Sequence, residues 1–192
     1  MEKAELRKEI KARRKALTPD EVSFASKSIS DSLWETSAFT KANTVMVYIS
    51  AFNEVSTIAI VERLLLLGKR VIVPISDTAT ETLILSYIED MSSLSVGAYG
   101  VLEPNNICRA NASDIDCILV PGISFDVNGN RMGFGKGYYD KLLSKTSAVK
   151  IGLCYDFQLV EMIEVEVHDV PMDIIITEKQ VLKFDRSALG GK

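Results

Sequence analysis

Between Arg131 and Asp140 the sequence reads Arg-Met-Gly-Phe-Gly-Lys-Gly-Tyr-Tyr-Asp, with glycines at alternate positions (Gly133, Gly135, Gly137) among two cations and a carboxylate. Such a segment suits a phosphate. Residues without a Cβ let the backbone approach an anion closely and turn successive N–H groups toward it, and Arg131 and Lys136 add positive charge. The spacing matches neither standard nucleotide motif. GxGxxG would need a glycine where Tyr138 stands, and a Walker loop would need Ser or Thr after Lys136, where Gly137 stands. From residue type alone, an anion cradle and a tight structural turn with solvated bases remain open alternatives.

The segment follows an apolar run, Asp116 to Val120, closed by Pro121-Gly122, and precedes a helix that begins near Tyr138. In open α/β sheets ligands bind beyond the carboxyl ends of the strands, so a site belongs here. Val45 to Ile49, Arg70 to Val73, Val149 to Cys154, Asp173 to Thr177 and Val181 to Phe184 predict further strands; Leu83 to Ile88 alternates like an antiparallel or edge strand. Helices are predicted over 3–16, with Leu6, Ile10 and Leu17 inward, and from Pro19 to about Trp34 behind the capping box Thr18-Pro19-Asp20-Glu21. Another runs from a cap at Ser56 or Thr57 to Leu67, where Gly68 ends it. Trp34 reads as a packing residue.

Short strands interleaved with helices predict an α/β fold of three layers, α/β/α, with a mostly parallel central sheet and the N-terminal helices packed on it. One domain over residues 1–192 is expected, with a frayed Gly190-Gly191-Lys192 tail.

The chain is 47% hydrophobic and 25% charged, which excludes a largely disordered protein. A formal net charge of -4 gives no general attraction to nucleic acid or anionic membrane. No apolar run approaches the roughly 20 residues of a membrane span. The N-terminus has no apolar stretch of the secretory type, and Glu2, Glu5 and Glu9 argue against a transit peptide. Cys108, Cys117 and Cys154 lack metal-ligand spacing and read as free thiols of a cytoplasmic protein, Cys117 and Cys154 buried.

Pro121 to Asp140 resembles, at every fixed position, the hallmark PG-x-x-FD-x-x-G-x-R-hydrophobic-G-x-G-(K or G)-G-YYD of the 5-formyltetrahydrofolate cyclo-ligases, or methenyltetrahydrofolate synthetases. Further segments agree in order: Lys3-Ala4-Glu5-Leu6-Arg7, Tyr48 with Glu54 and Thr57, Gly68 to Val71 before Pro74, and Gly100 to Pro104. Lys150 to Leu153, Gln158-Leu159, His168-Asp169 and Asp173 with Thr177-Glu178 follow. One segment departs: Glu164-Val165-Glu166-Val167 precedes His168, where the family often has Pro ahead of the Glu.

The resemblance implies an ATP- and magnesium-dependent conversion of 5-formyltetrahydrofolate to 5,10-methenyltetrahydrofolate, releasing ADP and phosphate. A formamide oxygen is a poor leaving group. Transfer of the γ-phosphoryl group to it creates a good one, after which N10 attacks and the ring closes without any protein nucleophile. The resemblance assigns ATP to Lys3, Arg7, Arg131, Met132, Gly133, Phe134, Gly135, Lys136, Gly137, Tyr138 and Tyr139, with Lys136 and Arg131 balancing charge on the transferring group. It assigns the folate to Ile49, Glu54 and the stretch Phe134, Gly135, Lys136, Gly137 and Tyr138, and Mg2+ to Asp140 and Asp173.

Lys3 and Arg7 are one helical turn apart and share a face; Lys8, Lys11, Arg13, Arg14 and Lys15 are expected to stay solvated. A pterin's amidine-like donor edge suits a carboxylate such as Glu54, and its flat ring suits an aromatic wall. Tyr139 fits core packing equally well; for His168, the sole histidine, general-base work and structural hydrogen bonding are the alternatives, the second being the commoner role of a lone histidine. Expected partners are ATP and the folate, with no nucleic acid or membrane, and the protein is expected to be a monomer. A small-molecule kinase and a non-catalytic nucleotide- or folate-binding module are the alternatives.

Overall fold

The structure, a computed structural model, describes residues 2–97 and 100–185; the Gly190-Gly191-Lys192 tail lies outside the described residues. The chain opens with helices α1 (Lys3–Ala16), α2 (Pro19–Trp34) and α3 (Ser37–Lys41). Helix α2 starts at the predicted capping box: the Glu21 N–H donates to Thr18 Oγ1 at 3.3 Å, and the Glu21 carboxylate accepts the Thr18 N–H at 2.8 Å. Strand β1 (Thr44–Met46), helix α4 (Ile58–Leu66) and strands β2 (Arg70–Asp77) and β3 (Thr82–Ile88) follow. Three short strands come next, β4 (Leu94–Val96), β5 (Leu102–Pro104) and β6 (Cys108–Arg109). The second half holds β7 (Cys117–Val120), β8 (Ser124–Asp126), β9 (Arg131–Met132), α5 (Tyr138–Leu143) and β10 (Val149–Leu153). It ends with β11 (Leu159–Val160), β12 (Ile174–Ile176) and β13 (Val181–Lys183).

Eight strands form one sheet in the order β13-β12-β10-β7-β1-β2-β3-β6. The pairs from β12 to β2 are all parallel, and β13, β3 and β6 join antiparallel at the flanks. Both faces are covered, which is why the strands read as continuous apolar runs. On one face Val45, Val71, Leu119 and Ile151 meet Ile29, Leu33, Phe39 and Leu64 of α2, α3 and α4. On the other, Met46, Ile72, Ile118 and Ile175 meet Phe125 and the α5 residues Leu142 and Leu143. The three predicted layers are present, the second thin because α5 has only six residues. Burial pushes the Cys117 thiol up to about 12, and Cys154 is buried as well, as expected of inert free thiols.

Several details differ from the sequence reading. The β1 ladder stops at Met46; Val47 still donates to the Ile72 carbonyl at 2.9 Å before the chain leaves the sheet. Strand β3 is antiparallel, as predicted, and β6 covers it, so it is not the edge. Helix α2 packs on the sheet, whereas α1 packs Leu6 and Ile10 against Ile123, Met132 and Ile163. The stretch after Gly122, where the sequence predicts no strand, contains the hairpin β8–β9, which β11 extends. Asp126, fully buried, organises it: its carboxylate accepts the N–H groups of Asn128, Asn130 and Ile163 and the Asn130 side-chain amide, each at 2.9 Å. Among the described residues no helix is long and apolar enough to cross a membrane.

Thr18→Ala removes the capping oxygen of α2 and is expected to lower stability by about 1 kcal/mol. The check is a urea titration, in which the midpoint falls and the slope stays constant.

Candidate active site

The carboxyl ends of β1, β2 and β7 open onto a cleft of about 620 Å³. It brings together every predicted site residue except Asp173. Its volume falls in the range of small-molecule sites.

The glycine arc on its floor is fixed from below. The Arg131 side chain is 3% exposed, its Nη2 donates to Asp140 Oδ1 at 2.7 Å, and its Nη1 donates to the Pro121 carbonyl at 3.3 Å. One residue precedes the arc and the other follows it, so this pair sets the span between its ends. A Cβ on Gly133 would lie 2.8 Å from Arg131 Nη1, so any other residue there has to push the guanidinium from its place. Gly135 and Gly137 have φ of 102° and 67°, values that L side chains resist. Lys136 is exposed at the crest, its ammonium 5.8 Å from the centre of the Tyr138 ring. Tyr139 packs against the second-face core with the Arg131 guanidinium 5.6 Å from its ring, and burial raises its phenol far above the ordinary range.

Helix α1 forms one wall. Arg7 Nε donates to the Gly133 carbonyl at 3.3 Å, and Lys3 Nζ meets Glu166 Oε1 at 3.1 Å. Glu166 belongs to the segment that departs from the family pattern. His168 is 70% exposed at the cleft, with Nε2 3.6 Å from Glu166 Oε2, too long for a hydrogen bond. Among the described residues it makes no hydrogen bond.

The opposite side is built on the turn Ala51–Glu54, where the Glu54 N–H donates to the Ala51 carbonyl and the Ala51 N–H donates to Glu54 Oε2, both at 3.0 Å. Ile49 leads into the turn, buried. The Glu54 side chain is 14% exposed; burial raises its carboxyl, while Arg14 and the Ala51 N–H act in the opposite direction. Phe134, Tyr138 and Leu83 supply apolar surface nearby.

Two expectations need correction. Arg14 is not solvated: it is 4% exposed, and Nη2 donates to the Phe52 carbonyl at 2.9 Å. Leu6, Ile10 and Arg14 repeat every fourth residue on one buried face, and the last position meets a turn of polar backbone where a cation finds partners. That repeat was the available signal, outweighed by the basic composition of the segment. Asp173 directly precedes β12, at the amino end of the parallel strands, where it accepts the Lys150 N–H at 2.8 Å and lies 3.9 Å from Lys150 Nζ. The cleft is at the carboxyl ends, so Asp140 and Asp173 do not meet. Among the described residues no cluster of three His, Cys, Asp or Glu side chains could hold a metal.

Chemically, the cleft has a cationic half (Lys3, Arg7, Lys136) suited to a polyphosphate, and an apolar half with one buried carboxylate suited to a flat heterocycle with a donor edge.

The sequence pattern of the 5-formyltetrahydrofolate cyclo-ligase family matches residues 1–178. A 5-formyltetrahydrofolate cyclo-ligase of Escherichia coli K12 is 31% identical over 182 residues, covering 91% of this chain and 100% of that one. The solved structure of Aquifex aeolicus 5,10-methenyltetrahydrofolate synthetase superimposes with a TM-score of 0.84 at 35% identity, over 95% of this chain and 93% of that one. That of a Mycoplasma pneumoniae 5,10-methenyltetrahydrofolate synthetase gives 0.75 at 28% identity, over 93% and 99%.

Removing the Asp140 carboxylate strands a buried guanidinium, so Asp140→Ala is expected to lose about 3 kcal/mol of stability. The exposed Lys136→Ala should change stability by less than about 0.5 kcal/mol. Denaturant titration of both variants measures the contrast.

Proposed function

The chain belongs to the 5-formyltetrahydrofolate cyclo-ligase family, and from that premise we propose how its cleft carries out the conversion of 5-formyltetrahydrofolate to 5,10-methenyltetrahydrofolate with ATP. The observation that carries the reading is the meeting, in one cleft, of cations from α1 and from the glycine arc with the buried Glu54.

The triphosphate lies along the arc from Met132 to Tyr138, with Lys3 and Arg7 on its α1 side. Lys136, an exposed residue of the arc, neutralises the transferring phosphoryl group. Arg131 is buried against Asp140, so its contribution is to hold the arc in shape, and the charge-balancing role expected of it passes to Lys136. The folate lies on Ile49, Phe134 and Tyr138, with the donor edge of its pterin on Glu54. The formyl oxygen then takes the γ-phosphoryl group and ADP is released; N10 adds to the formyl carbon, closing the five-membered ring, and loses its proton, and phosphate departs to leave the methenyl bridge. What the chain supplies is alignment, charge and exclusion of water, the main sources of rate in phosphoryl transfer.

The residues fit a magnesium ion held chiefly by ATP oxygens and water. Arg131 donates to Asp140 Oδ1, so Oδ2 would be the less encumbered oxygen for the cation, and Asp173 is out of reach. When bound, such an ion adds neutralisation of phosphate charge. In this reading the chain works as one domain and as a monomer, since one cleft supplies every group. The free thiols suit the cytoplasm.

The test is to mix the folded protein with magnesium, ATP and 5-formyltetrahydrofolate and follow the near-ultraviolet absorbance of the methenyl product. An ATP-dependent rise is expected, and a flat trace would sink the proposal. Lys136→Ala should lower kcat by about a hundredfold or more, the scale of losing one transition-state donor.

A further inference from the structure

We propose that Arg14 is a positioning residue for folate recognition, fixing the Ala51–Glu54 turn from the last turn of α1 and holding the Glu54 carboxylate toward the cleft. The proposal rests on the reading of Glu54 as the folate's partner.

Burial comes first. A guanidinium whose side chain is 5% exposed requires a counter-charge, and Glu54 Oε1 lies 3.9 Å from Arg14 Nη1. Nη2 is committed to the Phe52 carbonyl, whereas among the described residues buried Nε and Nη1 have no hydrogen-bond partner. The Glu54 carboxylate lies beside Nη1, and the Phe134 ring lies 5.9 Å from the guanidinium carbon.

The turn itself is strained. Phe52 and Asn53 take consecutive left-handed conformations, with φ of 51° and 56°. For a bulky aromatic residue this is an outlying conformation that persists only where the surroundings impose it. Helix α1 imposes it: Asn53 Nδ2 donates to the carbonyls of Arg14 and Leu17, both at 3.1 Å, and Arg14 holds the Phe52 carbonyl between them. Phe52, 73% exposed, and Glu54 both line the cleft, so the strain shapes the ligand site.

The charges around Glu54 leave Arg14 a defined task. The other titratable neighbours that act with it are the phenols of Tyr48, Tyr139 and Tyr155, all raised by burial and so neutral near pH 7, with Arg131 beyond Tyr139. Burial pushes the Glu54 carboxyl up, and Arg14 is the cation that opposes it. Loss of Arg14 therefore raises that carboxyl further and delays its ionisation to higher pH.

The experiment is the pH profile of kcat/KM for 5-formyltetrahydrofolate in the wild type, Arg14→Met, Arg14→Lys and Glu54→Gln, with KM for ATP measured alongside and folding checked by circular dichroism. The acid limb should move to higher pH in Arg14→Met. Its folate KM at pH 7 should rise about tenfold, the ratio for weakening one charge-assisted hydrogen bond, with ATP KM unchanged. Arg14→Lys keeps the charge without the fork, so it should keep the wild-type limb and still raise folate KM. Glu54→Gln should abolish the limb. An unmoved limb and folate KM in Arg14→Met overturn the proposal while leaving Glu54 and the reaction in place. If Arg14→Met does not fold, a wild-type folate KM in Arg14→Lys overturns it. A wild-type profile in Glu54→Gln removes Glu54 from the folate and the proposal with it, while wild-type turnover still upholds the reaction.

Discussion

A charge buried as deeply as the Arg131 guanidinium costs several kcal/mol unless it is met by an opposite charge, and Asp140 meets it at 2.7 Å. The two residues are nine positions apart, and the glycine arc lies between them. Glycines in left-handed conformations would otherwise leave that arc many shapes; a fixed separation of its ends, and the contact of Gly133 with the guanidinium, select one. Lys136 is thereby presented at the crest, and α5 begins at Tyr138 immediately afterwards. The positive charge available to a phosphate thus depends on a second positive charge hidden below it.

Helix α1 is the other constraint. Its apolar face is short, Leu6 and Ile10 on Ile123, Met132 and Ile163, and burial of each such side chain contributes about 1.5–3 kcal/mol. Polar contacts along the same helix complete its docking: Lys3 to Glu166, Arg7 to the Gly133 carbonyl, Arg14 to the Phe52 carbonyl. At 1.5 Å per residue, Lys3 and Arg14 are about 16 Å apart. One rigid element therefore touches both the phosphate half of the cleft and the carboxylate half.

Much of this was legible in the sequence, and the omissions have physical causes. The capping box at Thr18, the apolar runs of the parallel strands and the alternation of Leu83 to Ile88 are local signals, and local signals survive into the fold. The hairpin β8–β9 was hidden because its strands are two and three residues long and its order comes from Asp126, whose partner Ile163 is distant in sequence. Arg14 was misread because a basic side chain looks solvated until its helical face is known. Asp173 was placed at the cleft by motif, and a motif gives a residue without saying at which end of a strand it lies. The glycine arc was legible because its chemistry and its backbone requirement fall on the same few residues.

The central claim is that this cleft brings the γ-phosphate of ATP to the formyl oxygen of the folate. It is tested most directly with 5-formyltetrahydrofolate carrying oxygen-18 in the formyl group, turned over once by the protein with magnesium and ATP, followed by mass analysis of the released phosphate. Direct transfer places the heavy oxygen in the phosphate. Phosphate without the label, formed together with the methenyl product, would contradict the account.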